Sequence, residues 1–297
     1  MGESSVEQAL STALRKREQA GLLRKLPSQH NLIDFCSNDY LGFSRCESLA
    51  ALIAQRSKEF ATLRAGSSGS RLISGNTKFC EELEARIASY HGAQSALIFN
   101  SGFDANLGIF QALPGRADTI LYDQFVHASI KDGIRLSLAR AFPYRHNDLE
   151  DLQTKLRGST GRKFIATESL FSMDGDIAPL AELAALGKKY DAELVVDEAH
   201  ASGVLGPNGR GLVSELHLDQ AVLIRVHTFG KALGTHGAAV LGSNTLREYL
   251  INFAHSFIYS TALPLHALLS IDAAYEKLAQ AGNERAHLCE RISCFRR

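Results

Sequence analysis

Lys231 is the residue of this sequence best suited to covalent chemistry. It lies in Phe-Gly-Lys-Ala-Leu-Gly (229–234), close behind a predicted strand and among small and apolar residues. Burial lowers the pKa of a lysine, so that its neutral amine becomes available to form a Schiff base with a carbonyl group. The alternative is a solvated surface lysine. A phosphate-binding GxxxxGK[ST] loop is excluded, because Arg225 and Ala232 stand where Gly and Ser/Thr are required.

Asp197 and His200 follow the apolar run Leu-Val-Val (194–196), which predicts a strand. A carboxylate at a strand end can hold the N–H of a pyridinium ring and so keep that ring an electron sink. His200 can hydrogen-bond the 3'-oxygen of such a ring. The alternatives are a helix N-cap or turn aspartate and an ordinary turn histidine. Asp197 and Lys231 together predict a site for pyridoxal 5'-phosphate (PLP).

Two further segments follow predicted strands. Asn-Ser-Gly-Phe (100–103) lies between an apolar strand and a helix, where the main-chain N–H groups of a helix N-terminus can receive a phosphate. Ser-Gly is also a common cap and turn. His127 follows the next strand and can stack on a ligand ring, although a helix-capping or core histidine is the alternative.

Helices and short apolar strands alternate from Thr77 onward. The predicted strands are 96–99, 119–122, 163–167, 193–196, 222–226 and 238–241. The predicted helices are 77–90, one after Gly102, 129–137, 180–190, 246–253 and 263–278. This alternation predicts an α/β fold with a mostly parallel sheet, helices on both faces, and a ligand at the carboxyl ends of the strands. An amphipathic helix (6–23), a short strand (31–35) and a flexible stretch (66–75) come before or within this region.

Composition excludes several classes of protein. The chain of 297 residues is long enough for one large domain, alone or with a small one, and its 32 basic and 32 acidic residues balance. We therefore expect no nucleic-acid or membrane partner. The five cysteines form no disulfide framework and no zinc-ligand pattern, so no metal is expected. The start of the chain is unlike a signal peptide and no apolar run could span a bilayer, which favours a soluble, cytoplasmic protein.

Eight ordered motifs resemble those of the α-oxoamine synthases, which are fold-type I PLP enzymes related to the class II aminotransferases. The motifs are Ser-Asn-Asp-Tyr-Leu-Gly (37–42), Gly-Ser-Arg-Leu-Ile-Ser-Gly (69–75), Asn-Ser-Gly-Phe (100–103), His-Ala-Ser (127–129), Phe-Ser-Met-Asp-Gly-Asp (171–176), Val-Asp-Glu-Ala-His (196–200), Thr-Phe-Gly-Lys (228–231) and Ile-Tyr-Ser-Thr-Ala-Leu-Pro (258–264). The resemblance implies a seven-stranded, mostly parallel sheet and a homodimer. It also implies an N-terminal helical arm and strand (1–45), a large PLP-binding domain (46–262), and a linker helix with a remnant of a C-terminal domain (263–297).

The resemblance assigns roles by matching position. Lys231 would form the internal aldimine and remove the α-proton, Asp197 would pair with the pyridine nitrogen, and His127 would stack on the ring. The other implied cofactor contacts are Ser172 and His200 to the 3'-oxygen, Gly102, Phe103 and Thr228 to the phosphate, and Ser260 and Thr261 to the phosphate of the neighbouring subunit. Arg24, Asn38 and His127 would lie near the substrate. A turn serine, a strand-end threonine and a solvated helix face are the alternatives for Ser172, Thr228 and Arg24.

The implied reaction is the decarboxylative condensation of an amino acid with an acyl thioester. The branch that the sequence resembles most joins L-alanine to a pimeloyl group, carried by CoA or acyl carrier protein (ACP), to give 8-amino-7-oxononanoate in biotin biosynthesis. Glycine C-acetyltransferase is the alternative, because His-Ala-Ser-Ile-Lys-Asp-Gly-Ile-Arg-Leu (127–136) is similar to that branch, and another α-oxoamine synthase is a further one.

The resemblance ends before the small C-terminal α/β domain that members of the family carry. The sequence stops at Arg297, and 285–297 shows no strand alternation. We therefore expect a truncated chain, in which the cofactor residues are present and part of the substrate site is missing. A second hypothesis follows, namely a catalytically impaired chain that only binds PLP or a full-length partner.

Overall fold

The computed structural model describes residues 4–26, 33–60 and 65–297. They divide into two units, Met1–Ser37 and Asn38–Arg297. The first unit contains helix α1 (Ser5–Gln19), whose first turn is capped by the Ser4 hydroxyl, which accepts a hydrogen bond from the Glu7 N–H. This confirms the predicted N-terminal helix. The finer division of the chain at 45 and 262 stays a prediction.

The strand predicted at 31–35 is wrong over its described part. Residues 33–35 adopt no strand, and 31 and 32 lie outside the described residues. The reason is the Asp34 carboxylate, which accepts hydrogen bonds from the N–H groups of Cys36 and Ser37 at 2.9 Å each. Such local bonds favour a turn over a strand.

The second unit is built on a seven-stranded sheet with the order β1-β7-β6-β5-β4-β2-β3. The strands are β1 (Ser95–Phe99), β2 (Thr119–Asp123), β3 (Arg140–Tyr144), β4 (Lys163–Glu168), β5 (Ala192–Asp197), β6 (Ile224–Thr228) and β7 (Ala238–Gly242). β7 runs antiparallel to β1 and β6, and the other pairs are parallel. The predicted α/β fold with a mostly parallel, seven-stranded sheet is confirmed.

Helices cover both faces of the sheet. Successive residues of a strand point to opposite faces, and the strands carry apolar residues on both. The helices of this unit are α2 (Glu47–Lys58), α3 (Lys78–Tyr90), α4 (Gly102–Ala112), α5 (Ala128–Leu136), α6 (Leu149–Arg157), α7 (Leu180–Tyr190), α8 (Leu212–Glu215), α9 (Asn244–Phe253), α10 (His255–Ile258), α11 (Leu265–Gln280) and α12 (Gly282–Phe295). Leu97 and Phe99 of β1 pack in one core with helices α4 and α5, whereas Ala96 and Ile98 pack in another core with α3 and α11. Across the described ranges, no helix is both long and apolar enough to cross a membrane.

Some elements were not predicted from the sequence. β3 lies at the edge of the sheet, pairs only with β2 and contains Pro143, so it lacks the apolar run of a central strand. Helices α2 and α6 were also missed, and α12 occupies the segment in which no strand was expected. The stretch predicted to be flexible contains one π-helical turn, Arg71–Gly75.

The carboxyl ends of the parallel strands carry polar residues. β2 ends at Asp123, β4 at Glu168, β5 at Asp197 and β6 at Thr228. Because parallel strands end at one edge of the sheet, these side chains are brought to the same side of the second unit.

Candidate active site

A cavity of about 270 Å³ opens at this edge of the sheet. It is lined by Asn38, Ser101, Gly102, Phe103, Asn106, His127, Ser129, Glu168, Asp197, Ala199, His200, Thr228, Gly230, Lys231, His236 and Gly237. Strand ends, the N-terminus of α4 and the turns after β5 and β6 therefore supply its walls.

Asp197 is a buried carboxylate whose position is fixed by two donors. Its Oδ2 accepts from Asn106 Nδ2 at 2.7 Å, and its Oδ1 accepts from the main-chain N–H of Ala199 at 2.9 Å. Asn106 Nδ2 also donates to Ser129 Oγ at 3.0 Å, and that hydroxyl lies 2.7 Å from His127 Nδ1. A chain of polar contacts therefore connects Asp197 to the ring of His127.

Lys231 Nζ lies 2.6 Å from His200 Nε2, and His200 Nδ1 lies 2.7 Å from the hydroxyl of Tyr40. The Tyr40 hydroxyl donates to Asn38 Oδ1 at 3.1 Å, so it accepts from His200 Nδ1–H. This assigns the tautomer of His200 in which Nε2 carries a lone pair toward the lysine.

The electrostatics of this pair favour neutral forms. Burial, the charge of Lys231 and then that of His127 lower the pKa of His200 to about 4, so its imidazole is neutral at neutral pH. Burial also lowers the pKa of Lys231, although the nearby carboxyl groups of Asp197 and Glu168 oppose this effect. A lysine whose ammonium form is disfavoured can act as a nucleophile and as a base.

The N-terminus of α4 forms another part of the cavity wall. Ser101 caps the helix by accepting from the Asp104 N–H at 3.1 Å, and Gly102 begins it. A Cβ atom at Gly102 would lie only 2.4 Å from Thr228 Cγ2, so a side chain there would displace Thr228. Ser101, Gly102 and Phe103 line the cavity, which therefore opens at the N-terminus of α4, where main-chain N–H groups can bind a phosphate.

These residues fit PLP. The cavity combines a buried acceptor for a ring N–H (Asp197), an amine of lowered pKa (Lys231) and a helix N-terminus for a phosphate. In addition, Asn106 Oδ1 and Glu168 Oε1 are buried without a hydrogen-bond partner among the described residues. Buried polar atoms in this condition are costly, and because these two residues line the cavity, a ligand bound there is within reach of both.

The structure brings most of the predicted site residues together but not all of them. Asn38, Gly102, Phe103, His127, Asp197, His200, Thr228 and Lys231 line the cavity. Ser172 lies in an exposed turn and does not line it. Ser260 and Thr261 line a separate, small cavity beside Arg71, and Arg24 is an exposed residue of the first unit. The functions predicted for all of these residues stay predictions.

The lining or supporting residues that were not predicted from the sequence include Tyr40, Asn106, Ser129, Glu168 and His236. Glu168 ends a strand in the same way as Asp197, and this signal was available. Asn106 is a polar residue on a largely buried face of α4, where an amide needs a partner. Tyr40 and Ser129 lie inside motifs that were recognised, but their contacts depend on the fold.

Comparisons with known proteins show the family to which the chain belongs. Residues 30–296 match the model of the family described as aminotransferase class I and II. The chain is 43% identical to an 8-amino-7-oxononanoate synthase of Emericella nidulans, over 96% of the chain and 74% of that protein. It is 42% identical to the one of Marinobacter nauticus, over 95% of the chain and 74% of that protein.

Solved structures give the same result. A Francisella tularensis 8-amino-7-oxononanoate synthase is 36% identical and superposes with a TM-score of 0.75, covering 89% of this chain and 74% of the other. A serine palmitoyltransferase from S. paucimobilis, solved with a bound PLP–myriocin aldimine, is 27% identical with a TM-score of 0.85, covering 96% and 78%.

Proposed function

The chain belongs to the aminotransferase class I and II family, and we infer that it is a PLP-dependent acyltransferase that condenses L-alanine with a pimeloyl thioester to 8-amino-7-oxononanoate, a step of biotin biosynthesis. The observation that carries this inference is that Lys231, His200 and Asp197 line one cavity. The substrates are those of the 8-amino-7-oxononanoate synthases to which the chain is similar.

Three finer parts of the proposal go beyond the family. We propose that the acyl group arrives on CoA or ACP, that the protein is a homodimer, and that it works in the cytoplasm. In the dimer, Ser260 and Thr261 would reach the phosphate in the partner's cavity. Their position beside a separate cavity of their own subunit is compatible with this function.

When bound, PLP supplies an electron sink that stabilises negative charge at the α-carbon of the amino acid. Asp197 would support this by accepting the N–H of the ring. The carboxylate is suited to this task because Asn106 and the Ala199 N–H hold it in place and because it is buried. Its electrostatic interaction with a cationic ring is therefore weakly screened by water.

Lys231 would bind the cofactor covalently and then act as the base. Burial lowers its pKa, which favours the neutral form of the amine, the form that attacks a carbonyl carbon. After an amino acid has displaced it, the same amine can take the α-proton onto Nζ. Neutral His200, 2.6 Å away, accepts a hydrogen bond from Nζ and keeps it oriented.

The remaining residues would bind and orient. The N–H groups at Gly102 and Phe103 and the Thr228 hydroxyl are suited to the phosphate, and His127 is suited to lie over the ring. Asn38 and Arg24 are proposed to contact the substrate. Ser172 is also proposed to contact the cofactor, although it is exposed and does not line the cavity in this structure.

The proposal is tested by mixing the purified chain with PLP and recording the visible absorption band of the bound cofactor. Borohydride reduction and peptide mass spectrometry should then find the modified residue at Lys231. Lys231→Ala should abolish the band and the modification, whereas Lys188→Ala, an exposed lysine of α7, should leave both unchanged. A wild-type protein that remains colourless after incubation with PLP would refute the proposal.

Turnover separates the alternatives. L-Alanine with pimeloyl-CoA should give 8-amino-7-oxononanoate, detected by mass spectrometry. Faster turnover with glycine and acetyl-CoA would instead favour glycine C-acetyltransferase, and binding of PLP without any product would favour the catalytically impaired chain. These assays use the 297-residue chain, which spans about three quarters of the length of the relatives named above.

A further inference from the structure

Glu168 lines the cavity but has no part in the mechanism above. It is the last residue of β4, is 3% exposed and pairs in register with Asp197 on β5. Its Oε1 is buried without a hydrogen-bond partner among the described residues. Because leaving such an atom unpaired is costly, a group that enters the cavity is the natural partner for it.

The two neighbouring carboxyl groups differ in their surroundings. Asp197 accepts two N–H donors, which stabilise its anion, whereas Oε1 of Glu168 accepts none. Two adjacent buried carboxylates repel each other, so one of them is expected to keep its proton. Burial, followed by the charge of Asp197, raises the pKa of Glu168 to about 8, against the opposing effects of the His127 main-chain N–H and of Lys231.

We propose that Glu168 is a neutral carboxylic acid that donates its O–H to an oxygen anion of the bound ligand, and is therefore a further binding residue of this site. The oxygen anion belongs either to the cofactor ring or to the carboxylate of the amino acid. This inference rests on the proposed function, since it needs one of these ligands in the cavity. The charged and titratable groups that face Glu168 are Asp123 on β2, Asp197 on β5 and Lys231 after β6, with His127 and His200 on the same cavity wall.

The protonation state is tested on the protein without PLP. The infrared difference spectrum between the wild type and Glu168→Gln should contain the carbonyl stretch of a protonated carboxylic acid at neutral pH. That band should disappear as the pH rises through about 8. Its absence at neutral pH would overturn the inference. The spectrum needs no ligand, so it remains informative even if the chain fails to bind PLP, a result that would refute the proposed function alone.

The donor role is tested by two variants of different chemistry. Glu168→Gln keeps a neutral donor of similar size, and it should bind PLP and L-alanine within about twofold of the wild type. Glu168→Leu removes the donor, and it should weaken binding by roughly five- to tenfold, the value of one hydrogen bond. Weaker binding of PLP itself would identify the cofactor oxygen as the acceptor, whereas weaker binding of L-alanine alone would identify the carboxylate.

Controls separate this role from a structural one. Equal weakening by Glu168→Gln and Glu168→Leu would overturn the inference, because it would mean that an anion is required. Glu182→Leu, a substitution of an exposed glutamate in the first turn of α7, should leave both affinities unchanged. Circular dichroism of each variant confirms that the comparison is made between folded proteins.

Discussion

His200 and His146 lie in two neighbouring regions beyond the carboxyl ends of the strands, the first in the cavity and the second between two carboxylates. His200 contacts the amine of Lys231 and the hydroxyl of Tyr40, and its pKa is lowered to about 4 by burial and by the nearby cation. The pKa of His146 is raised, because hydrogen bonds to Asp123 and Asp176 outweigh the effect of burial. Burial disfavours the charged ring of both histidines; it prevails for His200, which lies beside a cation, but not for His146, which lies between two carboxylates.

The second region, which we call the His146 clip, consists of His146, Asp123 and Asp176. His146 Nδ1 lies 2.9 Å from Asp123 Oδ1, and Nε2 lies 2.7 Å from Asp176 Oδ2. Contacts of both ring nitrogens with carboxylates favour the form of the ring that carries a proton on each nitrogen, which is why the pKa of His146 is raised. The clip connects the end of β2 to the loop that contains Ser172, and none of its three residues lines the cavity.

The largest effect is expected from breaking the clip. His146→Leu leaves the fully buried Asp123 without its cation, and we expect a loss of about 3 kcal/mol in the free energy of unfolding. The raised pKa means that this stabilisation is complete below pH 6.5 and is lost as the pH rises through the pKa of the folded state. Urea unfolding should therefore show a larger difference between variant and wild type at acid than at alkaline pH.

Arg145→Leu is the matched control for the clip. Arg145 precedes His146 and pairs with Asp148, but its side chain is 68% exposed. Such a pair contributes less than about 1 kcal/mol. Equal losses for Arg145→Leu and His146→Leu would show that the clip is no stronger than a surface ion pair.

A smaller effect, directed at ligand binding rather than folding, is expected in the cavity. Gly102→Ala would bring a methyl group within 2.4 Å of Thr228 Cγ2. Overpacking of this kind costs about 1–3 kcal/mol, so we expect PLP to bind roughly tenfold more weakly in a fluorescence titration. Adding Thr228→Ser removes the methyl group in conflict and should restore most of the affinity.

Gly66→Ala provides the comparison for Gly102→Ala, since a Cβ at Gly66 meets no atom within 4 Å. It should leave PLP binding unchanged. Failure of Thr228→Ser to rescue Gly102→Ala would contradict the assignment of the conflict to this methyl group.

The two regions also differ in how far the sequence predicts them. Lys231, Asp197 and His200 follow apolar runs that predict strands, and parallel strands end at one edge of the sheet. The positions of these three residues in the cavity can therefore be predicted from local pattern and topology together. The His146 clip cannot be predicted in this way. His146 is separated from Asp123 by 23 residues and from Asp176 by 30. It follows the edge strand β3, which the sequence does not predict because β3 has exposed residues and contains Pro143.

Glu168 and Asn106 show a second limit. Both are polar residues on buried elements, which the sequence displays, but their partners are set by strand register and by the packing of α4 on the sheet. A pattern of apolar residues predicts that a strand exists, but it does not determine which residues of two neighbouring strands lie opposite each other. Residues that complete a site from a neighbouring element are therefore the ones that sequence analysis misses.

The smallest effect concerns the pH dependence of His200 in the protein without PLP. Its pKa is about 4 in the folded protein and 6.5 in an unfolded chain, so the unfolded state binds more protons between these values. The contribution of His200 to the free energy of unfolding is therefore complete above pH 6.5. It falls as the pH drops, by about 1 kcal/mol over the first pH unit below this value. His200→Gln should reduce the dependence of the free energy of unfolding on pH, measured by urea unfolding, by this amount.

Buried His91 and His227, whose pKa values are also lowered, contribute equally to both proteins and cancel in the difference. The stabilisation by the His146 clip is lost as the pH rises, whereas the stabilisation that depends on neutral His200 is lost as the pH falls. A difference between His200→Gln and the wild type that appeared only at alkaline pH would therefore contradict the assignment of opposite pKa shifts to the two histidines.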